Sequence, residues 1–141
     1  MSHPTSESSV SAGRLRYDHR ALDSRLVEMR RLATHQGWAA LLGVWTGFSS
    51  DLVRHLAFEE LAVFPGFARH KPGAADVVAR LVDEHEHVRR LLDEIEVEVI
   101  GGNVDRLLLD GFVSAMAEHE WVENTRIDPW LELQDRRRDP S

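Results

Sequence analysis

The chain contains no cysteine. That absence removes disulfides, iron–sulfur clusters, zinc–thiolate sites and thiol redox chemistry together, and it suits a reducing cytosol. No run approaches the roughly 20 apolar residues of a membrane helix, so no membrane partner is expected. The Ser/Thr/Pro-rich first twelve residues lack the apolar core of a signal peptide or anchor and read as a disordered leader. A basic stripe is also missing. The formal net charge is -7, and nothing is arranged to neutralise phosphates, which argues against a nucleic-acid partner. The one basic run, Arg136-Arg137-Arg138, lies between Asp135 and Asp139 and reads as part of a solvated tail over 135–141. No alternating strand pattern occurs.

What remains is a 141-residue soluble composition, 43% apolar and 29% charged, enough to bury one core. Its apolar residues recur at helical spacing in four segments. The first, from about Arg14 to Ala33, has a stripe of Leu15, His19, Leu22, Leu26 and Met29 and breaks near Gly37. The second, from about Trp38 to Val63, buries Leu41, Leu42, Trp45, Phe48, Leu52, His55, Glu59 and Val63; Pro65-Gly66 should end it. A third, about Ala74 to Ile100, carries Val78, Leu81, His85, Val88, Leu92, Ile95 and Val99 before Gly101-Gly102. With Asn103 as N-cap, the fourth carries Leu108, Phe112, Met116, His119, Glu123 and Ile127. Four long helices on short connections predict an all-α, up-down antiparallel four-helix bundle over residues 13–134.

Within those stripes a pattern occurs twice. His55 is followed four residues later by Glu59, and His119 by Glu123; a proline, Pro65 or Pro129, stands ten residues after each histidine. Upstream, Asp18-His19 and Glu84-His85 precede the two copies by 36 and 34 residues, counted from histidine to histidine. Residues four apart share a helix face, and here that face is the apolar one. A buried glutamate without a cation or a dense hydrogen-bond network costs several kcal/mol. One His–Glu pair would read as a core hydrogen bond, but two at matching depth, with His19 and His85 also facing inward, form a ligand set for two metal ions. Without metal, Glu59 and Glu123 would have raised pKa values through desolvation.

Imidazole and carboxylate without thiolate suit iron, manganese or zinc, and six such groups exceed what one tetrahedral zinc needs. If both glutamates bridge, each ion gains two histidines and two carboxylate oxygens, with a position left for an exogenous molecule. Other motifs fail. The Glu-x-x-His spacing of ferritin-like bundles occurs only at Glu84 and His87, and His87 sits among charged neighbours. His119-Glu120-x-x-Glu123 lacks the second histidine of the zinc proteases. His3 and His70 read as incidental, His35 as a partner of the C-terminal dipole of the first helix, Trp38, Trp45, Trp121 and Trp130 as packing, and Tyr17 as near enough to His19 to approach the site.

Taken together, Asp18-His19-Arg20, His55-x3-Glu59 running into Phe64-Pro65, Glu84-His85 and His119-x3-Glu123 resemble the hemerythrin-like domains, the HHE cation-binding group, over about Leu15 to Leu133. The resemblance implies an up-down bundle around a non-heme di-iron centre with an oxo or hydroxo bridge. It also implies His19, His55, Glu59, His85, His119 and Glu123 as ligands. Oxygen-carrying hemerythrins have five histidines, including a His-x3-His pair in the third helix and a His-x4-Asp pair in the fourth. Here Arg89 and Asn124 occupy those positions, so the chain is closer to the variant HHE proteins. One iron should then be less saturated, with Arg89 a solvated residue at the bundle edge. The expectation is a cytoplasmic di-iron protein that binds or reacts with dioxygen, peroxide or nitric oxide, with manganese or zinc as substitute metals. Its rival is a non-enzymatic iron or oxygen sensor, or an iron-handling protein, signalling to an unidentified protein partner.

Overall fold

In the computed structural model the described residues are 10–138. They form four antiparallel rods with no strand among them. The first is α1 (Ala12–Thr34). The second joins α2 (Trp38–Phe58) to α3 (Phe64–Ala68), the third is α4 (Ala74–Gly101), and the fourth joins α5 (Arg106–Val122) to α6 (Asp128–Arg138). Going round the bundle, α1 packs on α2, α2 on α4, α4 on α5, and α5 and α6 on α1. No helix is long and apolar enough to cross a membrane.

Local chemistry sets most of the ends. Ser11 caps α1, its Oγ accepting from the Arg14 N–H at 3.0 Å, so the helix starts two residues earlier than expected. At its other end the left-handed residue is Gln36 (φ 57°), one position before the expected Gly37. The N–H groups of Gln36 and Gly37 donate back to the carbonyls of Ala33 and Leu32, closing the last turn. Gly102 (φ 77°) ends α4 in the same way, and Asn103 donates to the Glu98 carbonyl. Asn103 therefore finishes α4 and does not begin α5. The cap of α5 is Asp105, whose side chain accepts from Leu107 at 2.8 Å. That start buries Leu109 and leaves Leu108 half-buried.

The largest departure lies at the prolines. Pro65-Gly66 does not end the second rod. A widened π-turn, Glu59–Val63, precedes it, with the Phe64 N–H reaching back five residues to the Glu59 carbonyl. The fourth rod repeats this: the turn Glu123–Ile127 is closed by Asp128 donating to the Glu123 carbonyl, and Pro129 follows. Each proline thus falls in the first turn of a fresh α segment, where its missing N–H leaves no bond unmade. The duplicated proline was the visible signal of the two π-turns.

Helix α6 continues to Arg138, held because Asp135 accepts from the Ala12 N–H at 3.2 Å and from Arg138 at 2.7 Å. Of the leader expected over residues 1–12, residues 1–9 lie outside the described residues, while Ser11 caps α1 and Ala12 is buried in its first turn. Trp45 is buried with its indole N–H on Glu96 at 3.0 Å, and Trp130 packs edge-on against Phe67. Trp121 and Leu42, in contrast, face solvent.

Two apolar clusters fill the bundle. One is built on Trp45, Phe48, Leu52, Ile95, Phe112 and Met116, the other on Leu15, Phe64, Phe67, Leu81, Ile127 and Leu131. The inward polar residues lie between them along each rod: His19 falls between Leu15 and Leu22, and His85 between Leu81 and Val88.

Candidate metal centre

All six expected side chains meet in that polar layer, none more than 6% exposed. Each glutamate opens a π-turn, and each spans two groups of histidines. One Glu59 oxygen lies 3.0 Å from His85 Nε2 and 3.6 Å from His119 Nε2; the other lies 3.1 Å from His55 Nε2 and 3.8 Å from His19 Nε2. Glu123 does likewise, 2.9 Å from His19 Nε2 on one oxygen and 3.1 Å from His119 Nε2 on the other. The result is two overlapping clusters, each able to hold a metal ion. His19, His55, Glu59 and Glu123 make one; His85, His119 and the same two glutamates make the other.

The outer partners decide which ring nitrogen faces in. His55 Nδ1 meets Asp18 at 3.2 Å, His85 Nδ1 meets Glu60 at 2.7 Å, and His119 Nδ1 meets Glu84 at 3.0 Å. Each carboxylate is an acceptor, so each Nδ1 carries the proton and, in the neutral ring, Nε2 presents a lone pair inward. His85 Nε2 and His119 Nε2 are only 2.9 Å apart. Two lone pairs at that distance repel unless a cation or an added proton lies between them. The inner atoms confirm the lack of partners: His19 Nε2, His55 Nε2, one Glu59 oxygen and both Glu123 oxygens are buried without an aligned hydrogen bond. Carboxylate-backed histidines aimed at shared carboxylates are the donor set a metal site requires.

Burial alone would depress the imidazole pKa values, but Glu123 and Glu59 raise His19 and His119 from the ordinary 6.5 to about 11. Burial opposes charge on His55 too, yet Glu59 and Asp18 raise it to about 9. For Glu59, desolvation pushes upward as expected from the sequence, but His55, His119 and His19 overcome it and hold the carboxyl well below its ordinary range. The expectation of a raised Glu59 pKa is therefore corrected: it counted the desolvation and missed the imidazolium neighbours.

Arg89 is not simply a solvated edge residue. Its guanidinium forks onto Glu60 with bonds of 2.8 and 2.9 Å, while Glu60 holds His85. Asp18, Glu60 and Glu84 have side chains 24%, 26% and 27% exposed, so periodicity alone marks them as surface acids. Tyr17, 67% exposed, stays out of the polar layer and lines a surface pocket of about 330 Å³ that reaches His55 between α1 and α2. His87 faces solvent, as its charged neighbours implied.

The family model of the hemerythrin HHE cation-binding domain matches residues 11–134. The chain belongs to that family. No curated protein and no solved structure matches it. The family match and the buried His/Glu layer together mark this hemerythrin HHE domain as a metal-binding bundle.

Proposed function

We propose that this hemerythrin HHE domain holds two iron ions joined by an oxo or hydroxo bridge and uses them to bind or react with dioxygen, peroxide or nitric oxide. In this reading His19 and His55 hold one ion, His85 and His119 the other, and Glu59 and Glu123 serve both. Its main support is the pair of carboxylates that each reach both histidine groups. A single-ion site would need only one such cluster. Iron is favoured over zinc because the donor count leaves each ion short of six ligands once the bridge is added, an arrangement suited to an exogenous diatomic. The bound pair would supply the open coordination position and the change of oxidation state. The protein's part is to fix the tautomers of His55, His85 and His119 and to hold both carboxylates buried between the two apolar clusters.

Elemental analysis of natively expressed protein tests the reading. Two irons per chain with near-ultraviolet absorption of an oxo-bridged ferric pair is the expected result. One tightly bound zinc per chain and no iron would overturn it. Oxygen release or nitric oxide consumption on adding peroxide or nitric oxide then identifies the ligand.

A further inference from the structure

The two halves of the bundle share inner groups but differ around them. Glu60 corresponds in the second half to Asn124, Leu56 to Glu120, and Phe64 to Asp128; Arg89 of α4 has Asp23 as its counterpart in α1. Around His85 the first set builds a closed wall. Glu60 takes its Nδ1, Arg89 locks Glu60, and the Phe64 ring lies 5.2 Å from the imidazole. Around His19 the second set lines a cavity of about 310 Å³ with His19 in its wall, and His19 Nδ1 has no partner.

Two acids in that cavity are unexplained by packing. Glu120 and Asp128 are only 9% and 6% exposed, yet Glu120 Oε2 and Asp128 Oδ1 have no hydrogen-bond partner. Burying such atoms is costly. Their counterparts, Leu56 and Phe64, show that the backbone accepts apolar groups at these positions. Asp23, exposed at the rim, adds a third carboxyl to the same cavity. Of the two arginines at the cavity, Arg16 is tied to Glu132 at 3.0 Å and Arg20 lies at the exposed rim. The three acids do not converge on one point: among the described residues the only clusters that could chelate an ion are the two in the polar layer.

We propose that this acidic cavity is the port through which divalent metal ions load the centre. Asp23 and Asp128 draw in the hydrated ion, Glu120 replaces part of its water, and the ion passes to His19 and Glu123. This rests on the metal-binding reading above. Carboxylates in a cleft raise the local concentration and on-rate of a cation by about 10- to 1000-fold, an effect that salt weakens.

The test is stopped-flow uptake of Co²⁺ by the metal-free full chain, read by visible absorption at low and high salt. Asp128→Asn and the Glu120→Gln/Asp128→Asn pair conserve shape and should load at least about tenfold more slowly, reach the same two-ion end point and keep the wild-type circular dichroism. Asp51→Asn, at the pocket beside His55, should load at the wild-type rate. Should the paired variant fail to fold, Asp23→Asn removes an exposed carboxyl and should slow loading and reduce its salt dependence. Wild-type loading rates in the folded port variants, equal slowing by Asp51→Asn, or a lower end point in the variants would each overturn the port. A wild-type chain that takes up no Co²⁺ or Fe²⁺ at all would instead remove the metal-binding reading, and the port with it.

Discussion

Glu60→Gln isolates the contribution of an acid that sequence periodicity assigns to the surface. The substitution preserves volume and leaves an amide oxygen able to accept from His85 Nδ1, but it removes the charge that polarises the imidazole. It also removes the acceptor of the 2.9 Å Arg89 bond, because the amide nitrogen that replaces that oxygen cannot accept. Loss of such an outer partner lowers metal affinity by about 10- to 100-fold, or about 1.4–2.7 kcal/mol. Glu60→Gln should fall near tenfold and Glu60→Ala near 100-fold, since alanine leaves Nδ1 to water. Arg89→Leu should cost less than either, because its side chain is 36% exposed and its pairing is screened. The structure also states which ion responds. Glu60 touches only the His85 side, so chelator-competition titration with Co²⁺ should show one ion weakened and the other held at wild-type affinity. Two ions weakened equally, or neither, would refute the assignment of Glu60 to His85.

Three further outcomes follow from the geometry. His85→Ala should abolish binding of one ion while His87→Ala leaves the metal content unchanged, because His85 is buried in the polar layer and His87 is exposed; equal losses by elemental analysis would refute this. In the metal-free protein, His19, His55 and His119 have folded-state pKa values raised from 6.5 to about 11, 9 and 11. Their stabilisation is full below about pH 6.5 and lost as pH rises through about 9 to 11, so the urea midpoint of metal-free protein should fall between pH 7 and pH 10, and a flat profile would refute it. Deleting Leu61, which is 81% exposed within the first π-turn, removes the extra residue and brings Phe64 to four positions after Glu59, so the rod should close as regular α-helix with Phe64 and Phe67 still facing the core. Denaturant titration should show a much smaller loss than for deletion of Ser50, exposed within regular α2, which turns the residues after it by about 100°; equal losses would refute the reading of the turn.

The amino-acid order by itself determined the four amphipathic rods and the inward set of His19, His55, Glu59, His85, His119 and Glu123. Spacing of three and four places side chains on one helix face wherever that helix packs, and Gly101-Gly102 stops a helix from its own backbone chemistry. Asn103 and Pro65 misled because caps and kinks depend on the turn that forms around them, and a π-turn absorbs a proline that would break a regular helix. Only the tertiary structure decided that Glu59 and Glu123 each reach both histidine groups, that Asp18, Glu60 and Glu84 back His55, His85 and His119, and that Arg89 serves Glu60. Those pairings join residues on different rods, and their register depends on how the apolar layers interlock. Periodicity is blind to it: a half-exposed carboxylate scores as surface whether it faces water or a neighbouring imidazole. The same packing separates the sealed His85 side from the open His19 side, because one backbone frame carries Phe64 and Arg89 in one half and Asp128 and Asp23 in the other.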